Sequence, residues 1–434
     1  MVLGGVAVAA ALPRALALAA EGDDDRRDAW TAALHRLARR LLASRVPRSP
    51  SPPPPMSSVL DSIGNTPMIR IASLSDATGC DILIKCEFAN PGGSVKDRVA
   101  LRILREALSS GRLRPGGVVT EGTAGSTGVS LAMVARALGC EAHLAFPDDA
   151  AAEKPALMSS FGAATEPVRP VAITHREHFV NVARRRAEEA TAERGPGAGY
   201  FADQFENLAN YRAHLEGTGP EIWRQCAEVT GSIPDAARLG ERRLDAFVCA
   251  CGTGGTLAGV AKYLKSKDPT VECYLVDPPG SSLYNKVTRG VLYTREEAEG
   301  KRLRNPFDTI TEGVGINRLT RNFDVALGGA TDEPGSTTTR GETLLSGAFK
   351  ASDREAVEMS RYLARRDGLF LGSSSCVNIV GAVKLARRLG PGRRVVTIAC
   401  DSGVRHLSKF WSDEYVEKHG LRPTAEGLEF LEEA

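Results

Sequence analysis

From Met56 onward, short apolar runs alternate with segments whose apolar residues recur every three or four positions. The runs at Asp81–Cys86, 117–120, 142–146, 245–250, 271–276 and 395–399 are short and almost uniformly apolar, so they read as buried strands. Between them, 99–108, 130–138, 256–265, 354–365 and 379–389 carry the helical period. Strand and helix in alternation predict an α/β architecture with parallel sheets, and no internal repeat is visible. The stretch 328–347, rich in Gly, Ser and Thr, reads as a surface loop.

The first 55 residues follow another pattern. An apolar run over 2–20 is broken only by Pro13-Arg14, then comes Asp23-Asp24-Asp25, then an Ala/Leu/Arg segment over 30–51 without acidic residues. Four prolines, Pro52 to Pro55, end it as a stiff spacer. The apolar run is marginal for a bilayer span of about 20 residues. The arginine-rich half fits an organelle-targeting helix. This divides the chain into residues 1–55, a targeting or anchor segment with membrane anchoring through 1–20, and a folded remainder.

Composition removes several classes. Of 434 residues, 42% are hydrophobic and 25% charged, which suits a soluble core and excludes a multi-span membrane protein. A net charge of +2 gives no concentrated positive field, so nucleic acid is not the expected partner. The nine cysteines form no C-x-x-C pair and mostly sit in apolar runs. Reduced, buried thiols are expected, with no metal.

Four strand-to-helix turns carry the candidate chemistry, where ligands bind in open α/β sheets. In Asn90-Pro91-Gly92-Gly93-Ser94-Val95-Lys96-Asp97-Arg98, Ser94 and Asp97 have the spacing of a capping box, which puts Lys96 in the first helical turn. The positive end of the helix dipole there favours the neutral amine that a Schiff-base lysine needs. Cys251-Gly252-Thr253-Gly254-Gly255-Thr256 offers successive backbone N–H groups as a phosphate cup. A dinucleotide reading, with Asp277 on a ribose, fails because Leu257 replaces the third glycine. Glu121-Gly122-Thr123-Ala124-Gly125-Ser126-Thr127-Gly128 gathers hydroxyls and amides at a helix start, suited to a carboxylate. Gly372-Ser373-Ser374-Ser375-Cys376 reads by default as a cap.

Taken in this order, the segments resemble the cysteine synthase (O-acetylserine sulfhydrylase) and cystathionine β-synthase family. Matching motifs run from about Ser62 to Leu421: Ile63-Gly64-Asn65-Thr66-Pro67, the Asn90–Arg98 segment, Gln204-Phe205, Thr218-Gly219-Pro220-Glu221-Ile222-Trp223, the cup, Thr311-Glu312-Gly313-Val314-Gly315 and Asp401-Ser402-Gly403. The resemblance implies two open twisted sheets with flanking helices, the tryptophan-synthase-β-like fold type II of pyridoxal-phosphate enzymes, with the cofactor between two lobes. It implies a catalytic domain over 56–421 (small lobe about 90–200, large lobe about 57–89 plus 205–421) and a tail over 422–434. Lys96 would hold pyridoxal 5'-phosphate and serve as general base. Gly252, Thr253, Gly254, Gly255 and Thr256 would bind its phosphate, Ser374 its ring nitrogen, and Ser126 its ring oxygen. Thr123, Ala124, Gly125, Thr127 and Gln204 would clamp the substrate carboxylate. The implied reaction replaces the acetate of O-acetylserine by sulfide, giving cysteine.

Two positions depart from the family pattern: Ser126 stands for an asparagine and Cys376 for a glycine. On this reading, asparagine at 126 should raise turnover. Neither a regulatory domain pair nor a haem-binding extension is recognisable, which favours a cysteine synthase over a regulated cystathionine β-synthase. The remaining alternatives are a β-cyanoalanine synthase, a cysteine desulfhydrase, a serine dehydratase or a non-catalytic binding member. The family further implies a homodimer and a mitochondrial location, in the outer membrane if the leader anchors it, with plastid or cytoplasm as alternatives.

Overall fold

A computed structural model describes residues 55–123, 125–228, 243–294, 309–331 and 341–431. The chain divides into two compact units, Met1–Met56 and Ser57–Ala434, and the second carries both sheets. The expected leader and Pro52 to Pro54 lie outside the described residues, as does Ala124. No helix among the described residues is long and apolar enough to cross a membrane.

The larger sheet has the order β1 (Met68–Arg70), β2 (Asp81–Cys86), β10 (Arg394–Ala399), β7 (Ala246–Ala250), β8 (Glu272–Asp277) and β9 (Gly347–Lys350). Only β1 pairs antiparallel. β2, β7 and β10 are buried at every position, which is why they appear in the sequence as largely apolar runs. Side chains alternate between two cores. Ile82, Ile84, Val248 and Val395 face one; Leu83, Phe247, Cys249 and Val396 face the other.

A second sheet is parallel throughout, in the order β5 (Ala164–Val168), β4 (Glu141–Pro147), β3 (Val118–Gly122) and β6 (Gly199–Phe201). Helices α1 (Lys96–Ser109) and α2 (Ser126–Ala137) share a core with it, Ile103, Leu104 and Val134 packing with Val119 and Leu144. α3 (Glu153–Ser160) follows β4. α4 (Gly255–Lys267) and α5 (Asp353–Arg366) flank the larger sheet, as does α6 (Ser373–Leu389), which is buried from Ser373 to Ala386. The glycine-rich stretch expected as one loop ends in β9, an edge strand; its 332–340 portion lies outside the described residues.

Three of the four candidate turns follow the carboxyl end of a strand, and Gln204 does so too; the serine turn, expected after a strand, instead follows helix α5, with only a single bridge, Leu371 to Ser402, before it. The Lys96 loop follows β2, the hydroxyl loop β3, Gln204 β6, and the glycine cup β7.

Candidate active site

The lysine loop is tied down from several sides. Asn90 accepts the Gly64 N–H (2.8 Å), and its amide donates to the Glu87 backbone carbonyl (2.8 Å). The expected capping box does not form. Ser94 Oγ accepts the Lys96 N–H at 3.2 Å, but Asp97 turns inward to accept the Gly92 N–H (2.6 Å) and the Ser130 hydroxyl (2.5 Å). The reason is burial: a fully enclosed carboxyl needs internal donors, and enclosure pushes it up to about 6. Arg98 sits between Glu87 and Glu221, at 2.7 Å from each. The N–H of Val95 donates to Cys400 O at 2.9 Å, which seats α1 against the end of β10. The Lys96 amine has no hydrogen-bond or ion-pair partner among the described residues. Its charge bears on the thiols of Cys249, Cys251 and Cys400, at the ends of β7 and β10.

Next to it, the turn after β7 is built for close backbone approach. A Cβ on Gly252 would lie 2.2 Å from Gly313 O, and Gly254 has φ +91° with Phe323 packed against it. α4 begins there without a side-chain cap, so its first N–H groups face the loop. The threonine hydroxyls are held from behind. Asn210 donates to Thr253 Oγ1 (2.8 Å), and His214 bridges Thr256 (3.1 Å) and Thr218 (2.9 Å). Burial holds His214 neutral, so the cup gains no cation from it.

In the hydroxyl loop, Thr123 Oγ1 accepts the Gly125 N–H (3.1 Å). Thr127 donates to Gln204 Oε1 (2.6 Å), joining α2 to the turn after β6. Glu121 accepts the backbone N–H of Gly122 at Oε1 and of Gln204 at Oε2, each at 3.0 Å. Ser126, expected at the cofactor's ring oxygen, has two protein partners. Its hydroxyl accepts from Arg405 Nη1 (2.9 Å) and reaches Asp401 Oδ2 (3.4 Å). Asp401 also bonds His406 Nε2 (3.0 Å), His406 Nδ1 lies 3.5 Å from Glu312, and Glu312 pairs with Lys154 of α3. Burial works against the Asp401 carboxylate, but His406 beside it keeps it below its ordinary range.

The three serines at the start of α6 separate by partner. Ser373 Oγ accepts the Glu312 N–H (3.0 Å) and Ser375 Oγ donates to Asp401 O (3.1 Å). Ser374 lies beside the thiol of Cys400, which burial pushes up to about 11. Asn378, one turn on, accepts the Ala250 N–H (2.6 Å) and donates to Ile398 O (2.7 Å), locking the cup strand to β10. Cys376 is fully buried in the core and takes no part in the site. All nine cysteines are free thiols. Asp277, weighed as a ribose ligand, instead accepts the Tyr284 N–H (2.7 Å), and burial pushes it up to about 7.

Arg405, His406 and Lys154 were not singled out in the sequence. Asp401 and Glu312 appear there only within matched motifs. A polar residue directly after a buried strand was the available signal for Asp401.

An amine without a partner among the described residues, close enough to bear on the Cys251 thiol, and a helix start without a side-chain cap suit a phosphorylated carbonyl cofactor. The sequence profile of the family described as pyridoxal-phosphate dependent enzyme matches residues 59–401, and the chain belongs to that family. Among its relatives, "Cysteine synthase 2" of Schizosaccharomyces pombe is 50% identical over 374 residues, 85% of this chain and 87% of the relative. A Saccharomyces cerevisiae cysteine synthase, whose provisional name places it in mitochondria, is 44% identical over 83% of this chain and 85% of its own. The crystal structure of O-ureido-L-serine synthase superposes with a TM-score of 0.66 at 27% identity, covering 82% of this chain and 95% of that one. Pyridoxal phosphate is the cofactor of this chain, and the residues present fit it. The glycines let the turn pack against Gly313, Phe323 and Asn210, the helix start has no side-chain cap to compete for its N–H groups, and the Lys96 amine has no partner among the described residues.

Proposed function

We infer that this chain is a cysteine synthase, exchanging the acetate of O-acetyl-L-serine for sulfide to give L-cysteine and acetate. The observation that carries the reading is the 50% identity to a cysteine synthase across most of both chains, joined to an uncommitted Lys96 amine beside the cup. Bound there, pyridoxal phosphate supplies the electron sink that eases loss of the α-proton and departure of acetate.

The chain's own residues do the rest. Lys96 Nζ holds the cofactor and, once displaced by the substrate amine, takes the α-proton. The N–H groups of Gly252, Thr253, Gly254, Gly255 and Thr256 carry the phosphate. Ser374 offers a neutral hydroxyl to the ring nitrogen, which leaves that nitrogen uncharged. Thr123, Ala124, Gly125 and Thr127 with Gln204 receive the substrate carboxylate, and Glu121 keeps Gln204 in place. Residues 90–200 act as the smaller lobe and 57–89 with 205–421 as the larger. The leader directs the protein to mitochondria, consistent with the yeast relative, and two copies work as a dimer.

Purified protein given O-acetylserine and sulfide should release cysteine and acetate in equal amounts. Cyanide, homocysteine or serine should serve poorly as acceptor or donor. Faster turnover with any of these than with the sulfide pair would overturn the assignment.

A further inference from the structure

The guanidinium of Arg405 joins two loops that are far apart in the chain. Arg405 lies in the short turn Gly403–Arg405 just after β10 and is 5% exposed. Nη1 donates to Ser126 Oγ (2.9 Å), at the first residue of α2. Nη2 donates to Gly92 O (2.6 Å), in the loop that carries Lys96. Gly92 is thus held at both backbone groups, its N–H by Asp97 and its carbonyl by Arg405. The Ser126 hydroxyl is shared with Asp401, so this side chain is already committed within the protein.

We propose that Arg405 is a positioning residue, which sets the reach of Lys96 relative to the carboxylate loop, and that Ser126 belongs to this clamp. The inference rests on the reading that Lys96 and the Thr123–Thr127 loop serve one substrate. Two rigid, diverging N–H donors are needed to hold a carbonyl and a hydroxyl at once. A lysine ammonium at this position reaches one or the other. Misplacing a reacting group by about 1 Å costs up to roughly a hundredfold in rate. A clamp therefore acts on turnover more than on binding.

The test uses the full chain with pyridoxal phosphate bound, as Arg405→Met, Arg405→Lys, Ser126→Ala and the Arg405→Met/Ser126→Ala pair. Arg405→Met should lower kcat by about tenfold to a hundredfold with KM changed less, and should move or broaden the visible absorbance band of the lysine-bound cofactor. Arg405→Lys should recover part of both effects. Ser126→Ala should show a smaller loss, and the double variant should be no worse than Arg405→Met alone, because one contact acts through the other. An unchanged band, or single losses that multiply in the double variant, would overturn the proposal. So would a kcat loss that merely tracks a lower melting temperature. If Arg405→Met does not fold, the same comparisons on Arg405→Lys decide. If wild-type protein is inactive with O-acetylserine while the band still responds to Arg405, the functional reading fails and the clamp stands.

Discussion

Replacing Glu121 by glutamine tests whether a buried carboxyl at the end of β3 works as a neutral acid. Glu121 is 1% exposed, and among the described residues no cation pairs with it. Burial, against the N–H bonds from Gln204 and Gly122 and with the nearby Asp203 charge, pushes it from the ordinary 4.5 up to about 8. The sign follows from linkage. The native state binds this proton more tightly than the unfolded chain, so the stabilisation is complete below 4.5 and fades as pH rises through about 8. Each pH unit inside that window removes about 1.4 kcal/mol, on the order of 5 kcal/mol in all.

Glutamine cannot titrate, so the variant lacks this slope. It also puts an NH2 group where one of the two acceptor oxygens stood, which strands the buried N–H of Gly122 or of Gln204 at roughly 1–3 kcal/mol. Glu121→Gln should therefore be less stable than wild type at pH 5.5 and at least as stable at pH 9. Urea unfolding of both proteins at pH 5.5, 7 and 9, in a constant excess of pyridoxal phosphate, reads the difference directly. A stability gap that keeps one size and sign across the three values would refute the neutral-acid argument.

What could be read from the sequence follows burial and locality. β2, β7, β8 and β10 were legible because strands enclosed on both faces are mostly apolar, with charged residues such as Asp81, Glu272, Asp277 and Arg394 confined to their ends and Lys85 the one exception. The short edge strands β1, β5, β6 and β9 were not, since half-exposed residues such as Ala164–Val168 carry no clear period and their pairing is non-local. The glycine cup was legible because only glycine meets its backbone demand, at Gly254 with φ +91°. The capping box was misread because Ser94 and Asp97 have the right local spacing, yet the burial of Asp97 overrides it. The clamp was invisible for a simpler reason. Arg405 and Ser126 are 279 residues apart, and no local pattern encodes such a contact.

Lys96→Ala should lose turnover, and borohydride should no longer fix the cofactor to the chain; label on another lysine of the wild type would refute the assignment. Gly252→Ala should weaken pyridoxal phosphate binding at least about tenfold by equilibrium dialysis, because its Cβ would fall 2.2 Å from Gly313 O and the cup must deform. A chain starting at Met56 should fold and turn over normally while losing association with mitochondria; an insoluble product would sink that division. The last prediction reverses an expectation. The family pattern suggests that Ser126→Asn restores a missing donor and speeds the enzyme. In the structure the Ser126 hydroxyl lies 2.9 Å from Arg405 Nη1 and 3.4 Å from Asp401, so it is committed on both sides. Asparagine can present its Oδ1 to the guanidinium and its NH2 to Asp401, but its amide reaches one heavy atom further than the serine hydroxyl. That extra length pushes the Arg405 guanidinium off Gly92 O. Turnover should then fall by about tenfold with KM changed less, measured with O-acetylserine and sulfide. A faster enzyme would show that position 126 faces the cofactor and that the Arg405 contact is incidental to catalysis.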